Sequence, residues 1–171
     1  MQRDILPIVK ESKNNLFILG KAGVGKSTLI KIVKKHFGKK CVILCPTGIA
    51  AQNVNGLTIH SFFNLPIVDS IEKKHIEKSS NILKSIDKFK RLQEIETIII
   101  DEISMVNAMV FDAIDLILKT VYQTTKPFGG KRVILIGDIF QLPPIDKQNS
   151  RGDRIFFWNS LAYQQTDFMR L

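Results

Sequence analysis

Four short apolar runs punctuate the chain: Leu16-Phe17-Ile18-Leu19, Cys41-Val42-Ile43-Leu44-Cys45, Thr97-Ile98-Ile99-Ile100 and Arg132-Val133-Ile134-Leu135-Ile136. None alternates apolar with polar positions, so each reads as a strand buried on both faces. Between them the period changes. Ser27 to about Phe37 reads as a helix stopped by Gly38, and apolar residues at Val110, Phe111, Ile114, Leu116, Ile117, Leu118 and Val121 give another helix. A short helix is expected over Asp4 to Ser12, with Pro7 tolerable only in its first turn, and Lys13-Asn14-Asn15 breaks it. Pro46-Thr47-Gly48 turns out of the second run into a short helix near Ile49 to Asn53. Residues 64–94 show no clear period and read as an excursion with one helix near Asn81 to Leu92. Pro127-Phe128-Gly129-Gly130 reads as a turn. Strands alternating with helices predict an α/β fold, a mostly parallel sheet flanked by helices on both faces. In such sheets ligands sit at the carboxyl ends of the strands.

Chemistry-bearing residues cluster at those ends. Gly20-Lys21-Ala22-Gly23-Val24-Gly25-Lys26-Ser27 follows the first strand and opens the first long helix. Its backbone N–H groups and the helix dipole favour a polyanion, so Gly20, Ala22, Gly23, Val24, Gly25 and Thr28 are expected to surround a nucleoside triphosphate. Lys26 is expected to reach the β- and γ-phosphates, and Ser27 to offer its hydroxyl to a bridging magnesium ion. Asp101-Glu102 closes the third strand. Asp101 is expected to hold that magnesium, and Glu102 to orient and deprotonate the attacking water, which points to hydrolysis rather than binding alone. Gly137-Asp138-Ile139-Phe140-Gln141-Leu142-Pro143-Pro144 follows the fourth strand and brings the Gln141 amide to the same edge, where it would sense the γ-phosphate.

At 171 residues with 44% hydrophobic content the chain suits one domain with a real core. No apolar run approaches the roughly 20 residues that span a bilayer, and Met1-Gln2-Arg3-Asp4 opens no signal or transit peptide, so a cytoplasmic or nuclear protein is expected. Cys41 and Cys45 would share a strand face without pairing, as buried small hydrophobes. Net charge is +9, which favours a polyanionic partner without naming it. The richest basic stretch, Glu72 to Arg91, reads as a solvated surface, with nucleic-acid contact as the sharper alternative.

Phosphate loop, Pro46-Thr47-Gly48-Ile49-Ala50-Ala51, Thr58-Ile59-His60-Ser61-Phe62-Phe63, Asp101-Glu102-Ile103-Ser104-Met105-Val106, Pro127-Phe128-Gly129-Gly130 and Gly137 to Pro144 stand in the order and spacing that resembles PIF/RecD-type helicases of superfamily 1. That resemblance runs from about Asn15 to Pro144 and continues weakly through Trp158-Asn159-Ser160-Leu161-Ala162-Tyr163. It implies the first of two RecA-like P-loop motor domains of an ATP-driven 5′-to-3′ DNA helicase, using ATP and magnesium and acting on single-stranded DNA as a monomer. It implies that Pro46, Thr47 and Gly48 hold the strand backbone, and that Thr58 and His60 form a second strand contact. Gln2 matches, about one place out of register, the glutamine that reads adenine. The chain stops at Phe168-Met169-Arg170-Leu171, where the family continues into an arginine-bearing motif and a second RecA-like domain, so that domain is expected to be missing here. Two other classes compete with the motor. One is a stand-alone small P-loop NTPase or metabolite kinase, whose lid would have to come from 72–91. The other is a nucleotide-gated DNA-binding module that never hydrolyses.

Overall fold

Strands that are apolar on both sides need a helical layer on each side, and the computed structural model, which describes residues 2–21, 23–68, 70–139 and 156–171, supplies both. Six strands pair in parallel: β1 (Asn15–Leu19), β2 (Cys41–Cys45), β3 (Leu57–Thr58), β4 (Thr97–Ile100), β5 (Arg132–Gly137) and β6 (Phe168–Arg170). Their order across the sheet is β3-β2-β4-β5-β1-β6. This is the RecA-like arrangement, in which β5 separates the strand before the phosphate loop from the strand before the carboxylate pair. Register is fixed by pairs such as Leu16 with Ile134 and Ile98 with Val133.

Alternate side chains then build two cores. On one face Leu16, Ile18, Cys41, Ile43, Cys45, Ile99, Ile134 and Ile136 meet α2 (Lys26–Phe37), α1 (Gln2–Glu11) and α3 (Gly48–Val54). On the other, Phe17, Val42, Leu44, Ile98, Ile100, Val133 and Leu135 meet α4 (Ile59–Phe63), α5 (Lys73–Leu83), α6 (Ile86–Glu94) and α7 (Ala108–Tyr122). Both cysteines are free and lie on the α2 face, and burial pushes their thiols up, Cys41 to about 11 and Cys45 to about 12.

Several elements differ from expectation. α1 starts at Gln2 and ends at Glu11, with Pro7 inside rather than in the first turn. Fully buried Val9, with Ile5 and Leu6 packed on the same core, offsets the hydrogen bond that proline omits. The 64–94 excursion holds two helices, not one. α5 begins at a capping box formed by Glu72 and His75, whose Nδ1 accepts the Glu72 N–H at 3.0 Å, and it buries Ser79, Ser80 and Leu83. Tertiary packing there overrides a weak local period. β3, β6 and the four-residue α8 (Leu161–Gln164) are additional short elements held by neighbours, as when the Asp112 carboxylate accepts the Ala162 N–H at 2.8 Å.

The Pro127–Gly130 turn is stapled to α7 by Asp115. Buried at 4% exposure, this carboxylate accepts the Phe128 N–H at 2.7 Å and pairs with Lys119 at 2.7 Å. Phe128, Gly129 and Gly130 all have positive φ, and a Cβ on Gly129 would lie 2.7 Å from the Tyr122 ring. The turn sets where β5 begins. Asp115→Ala leaves a buried N–H and a lysine without their partner, so it is expected to cost about 2–4 kcal/mol, with Asp115→Asn costing less. A fall in the urea midpoint at unchanged slope checks this, and an unshifted midpoint refutes the staple.

Candidate nucleotide site and strand-contact rim

Gly23 and Gly25 adopt φ of 80° and 92°, a left-handed region closed to most side chains, and so fold the loop back over the start of α2. A Cβ on Gly20 would lie 2.8 Å from Val24 Cγ2, so the entrance to the loop also requires glycine. Lys26 Nζ donates to the carbonyls of Gly20 at 2.6 Å and Lys21 at 3.0 Å. The ammonium therefore lies curled over the concavity, on neutral acceptors that an anionic oxygen would outcompete. Ser27 and Thr28 occupy the first turn of α2. Ala22 and Gln141 lie outside the described residues. Gln2 sits in the first turn of α1, which packs on α2.

Asp101 and Glu102 leave β4 in different directions, because Glu102 has a left-handed backbone at φ 52° and ψ 43°. Such a conformation costs a non-glycine residue on the order of 1 kcal/mol and is characteristic of functional turns. Asp101 is only 5% exposed, and its Oδ1 is buried without a hydrogen-bond partner. Burial raises its carboxyl to about 6, the Glu102 charge adds to this, and the Glu102 N–H and the Lys26 charge oppose it. A buried carboxylate oxygen lacking a donor, within electrostatic reach of Lys26, suits a hard divalent cation that takes its remaining ligands from phosphate and water.

β5 ties the two halves together. The Gly20 N–H donates to the Gly137 carbonyl at 3.1 Å, and a Cβ on Gly137 would sit 2.9 Å from Ile103 Cγ2 and 3.2 Å from the Ile103 nitrogen. Phosphate loop and carboxylate turn thus meet across one glycine. Ser104, 2% exposed with an unpartnered hydroxyl, lies beside this junction. Neither Gly137 nor Ser104 stood out as a junction in the sequence, because nothing local marks a contact between loops from different strands.

Pro46, Thr47, Gly48, Thr58 and His60 collect at the carboxyl ends of β2 and β3, on the other half of the same rim. Thr47 Oγ1 accepts the Ala50 N–H and caps α3, and Thr58 Oγ1 accepts the Ser61 N–H and caps α4, both at 3.2 Å. These caps were legible as threonines opening short helices but were read only as strand contacts. Each hydroxyl keeps its own O–H to donate. His60 is half-buried, and burial lowers its pKa, which keeps the imidazole neutral at neutral pH. Phe63 is fully buried and Phe62 packs partly against the same core, meeting it edge-on.

The model of the PIF1-like helicase family matches residues 2–171. The chain is 36% identical over 160 residues to the ATP-dependent DNA helicase PIF1 of Saccharomyces cerevisiae, covering 91% of this chain and 18% of that protein. It is 36% identical over 172 residues to the Psychrobacter ATP-dependent DNA helicase Pif1, covering 98% of this chain and 25% of that one. A Bacteroides Pif1 helicase crystallised in complex with ADP-AlF3 and ssDNA superimposes with a TM-score of 0.81 at 39% identity, covering 99% of this chain and 40% of its own. The chain therefore spans a quarter or less of the length of these two curated relatives.

Because the raised carboxyl makes burial of the Asp101 charge unfavourable, its contribution favours folding below about pH 4 and is lost as pH rises toward 6. Asp101→Asn is therefore expected to stabilise the nucleotide-free chain by about 1–2 kcal/mol at pH 7.5, with the gain vanishing near pH 4. Thermal unfolding across that range checks it. A variant less stable than the parent at pH 7.5 would show that the buried carboxylate carries no such penalty.

Proposed function

The chain belongs to the PIF1-like helicase family, and on that premise we propose that it is the nucleotide-hydrolysing motor lobe of an ATP-dependent DNA helicase that moves 5′ to 3′ along a single strand. One observation carries the reading: the rim of a single sheet is divided, with phosphate-loop and carboxylate chemistry at the ends of β1, β4 and β5, and strand-contact candidates at the ends of β2 and β3.

In this reading Lys26 leaves the Gly20 and Lys21 carbonyls to donate to the β- and γ-phosphates, while the backbone N–H groups from Gly23 to Thr28 cradle the polyanion. Ser27 and the unpartnered Asp101 oxygen hold magnesium. Bound magnesium neutralises the charge on the β- and γ-oxygens. Glu102 orients water and takes its proton, and Gln141 reports the γ-phosphate. Gln2 contacts the adenine. Thr47 and Thr58 donate hydroxyl hydrogens to strand phosphates, Pro46 and Gly48 shape the first of these contacts, and neutral His60 adds a hydrogen bond. Such contacts ignore base identity, as a translocating motor requires. Residues 1–171 act as one RecA-like lobe with an N-terminal helix and a basic excursion at 64–94, working as a monomer on single-stranded DNA. In the complete protein a second RecA-like lobe closes the cleft and supplies an arginine, worth about 10³ to 10⁵ in rate in related phosphoryl transfers.

The 171-residue chain is accordingly expected to bind Mg-ATP, to hydrolyse it slowly with stimulation by single-stranded DNA, and to separate no duplex. Lys26→Ala should abolish nucleotide binding, and Glu102→Gln should keep binding while losing turnover by about 10² or more. Turnover indifferent to DNA but dependent on a small-molecule acceptor would replace the motor with a kinase. ATP affinity that survives Lys26→Ala would remove the phosphate-loop assignment altogether.

A further inference from the structure

Below the strand-contact half of the rim, a groove of about 790 Å³ opens between α6 and the outer edge of the sheet. Its floor is apolar, formed by Val42, Leu57, Leu92 and Ile95 with the edge of Phe62. Its walls are basic. Lys39 stands on one side and Lys88, Lys90 and Arg91 on the other, against Asp87 and Glu94, and none of these six forms an ion pair among the described residues. Ser61 lies at the end nearest the rim, three residues beyond Thr58 and next to His60.

The backbone here excludes one class of occupant. An extended peptide adds to a sheet by pairing with free edge groups, but the outermost strand here, β3, is only two residues long, and below it the outer edge of β2 is occupied at Cys41. The Cys41 N–H donates to the Gly38 carbonyl, the Cys41 carbonyl accepts from Lys34 Nζ, and Gly56 sits so near the Ile43 carbonyl that a Cβ would lie 2.8 Å from it. The remaining chemistry is unpaired cations lining a path that is continuous with the Thr58 and His60 contact. A flexible polyanion with apolar faces, laid along the groove, satisfies both the walls and the floor.

We propose that this groove is a second nucleic-acid subsite, which carries the phosphate backbone of a single strand away from the Thr58 and His60 contact and along α6. The proposal rests on the strand-binding reading of the rim. It gives the basic stretch at 84–91 a role that nucleotide hydrolysis does not require. The exposed cations neutralise phosphates, while Phe62 and Leu57 cover the apolar faces of the bases.

The test compares the parent chain with Lys88→Gln/Lys90→Gln/Arg91→Gln, three exposed positions whose replacement leaves the cores intact. Fluorescein-labelled oligothymidylates are titrated at several salt concentrations: a tetranucleotide, sufficient for the rim alone, and a dodecanucleotide, long enough to enter the groove. The variant is expected to bind the dodecanucleotide about tenfold or more weakly, with the slope of log affinity against log salt reduced by about 2, while tetranucleotide and ATP affinities stay unchanged. Lys88→Arg/Lys90→Arg/Arg91→Lys should restore the parental slope. If both oligonucleotides bind the parent and the glutamine variant binds them equally well, the groove proposal falls and the rim reading stands. If the parent binds neither, both fall. A polyglutamate peptide that binds the parent more tightly than the dodecanucleotide, and loses that affinity in the variant, would assign the groove to an acidic protein and overturn the proposal.

Discussion

The site depends on how closely two loops approach at Gly137. On one side its carbonyl accepts the N–H of Gly20, where the phosphate loop begins. On the other, the turn after β4 comes so near that any side chain would strike Ile103. Neighbouring strands lie roughly 4.8 Å apart, so with β5 interposed the ends of β1 and β4 are separated by about 10 Å. A ligand gripped from both ends must bridge that span, and a phosphate chain with its cation is extended and charged enough to do so. The interposed strand thus keeps Lys26 and Asp101 from collapsing into a direct salt bridge that would fill the site. Lys26 instead rests on backbone carbonyls.

Holding the site open is unfavourable for the free chain. Asp101 is buried with one oxygen unpartnered, Glu102 is left-handed, and Ser104 has a hydroxyl with no partner. Each costs on the order of 1 kcal/mol or more in isolation. Two fully buried faces, filled by the alternate residues of every central strand, offset this. At Asp101, Glu102 and Ser104 these costs fall together where the chain leaves β4, because polar groups there no longer have ladder partners.

The central strands were legible because burial on both faces produces apolar runs that need no knowledge of neighbours, and Thr97–Ile100 in particular begins and ends where its composition says. The phosphate loop was legible because its chemistry is local. β3 and β6 were not. Two or three residues such as Leu57-Thr58 carry no period, and they become strands only when β2 and β1 offer an edge. The helix expected near Asn81 to Leu92 is realised as α6, beginning later at Ile86, while α5 was not legible for a related reason: a polar, lysine-rich stretch folds into helices only after Leu83 and Leu92 find the core formed by α7. The threonine caps were visible, yet a phosphate-contact reading hid the structural use of the same hydroxyls. Gln141 lies outside the described residues, so its place at the rim rests on the sequence alone.

A motor requires the two halves of the rim to sense one another, and the sheet supplies a short connection. The Asp101 N–H donates to the Leu44 carbonyl at 2.9 Å, joining the carboxylate strand to β2 one residue before its end. The next residue, Cys45, already feels the nearby carboxylates: after burial, the Asp101 and Glu102 charges are what push its thiol up. Pro46 and Thr47 follow directly. Any change in the charge or position of the carboxylate pair therefore acts within one or two residues of the loop proposed to hold the strand. It acts through a backbone that β4 and the capped helix α3 keep stiff. Proximity alone is not coupling, since coupling also needs an element with two discrete arrangements. The left-handed turn at Glu102 is the element best placed to have two. It is strained without ligand, it lies against the Gly137 junction, and a cation on Asp101 would change the charge balance that shapes it.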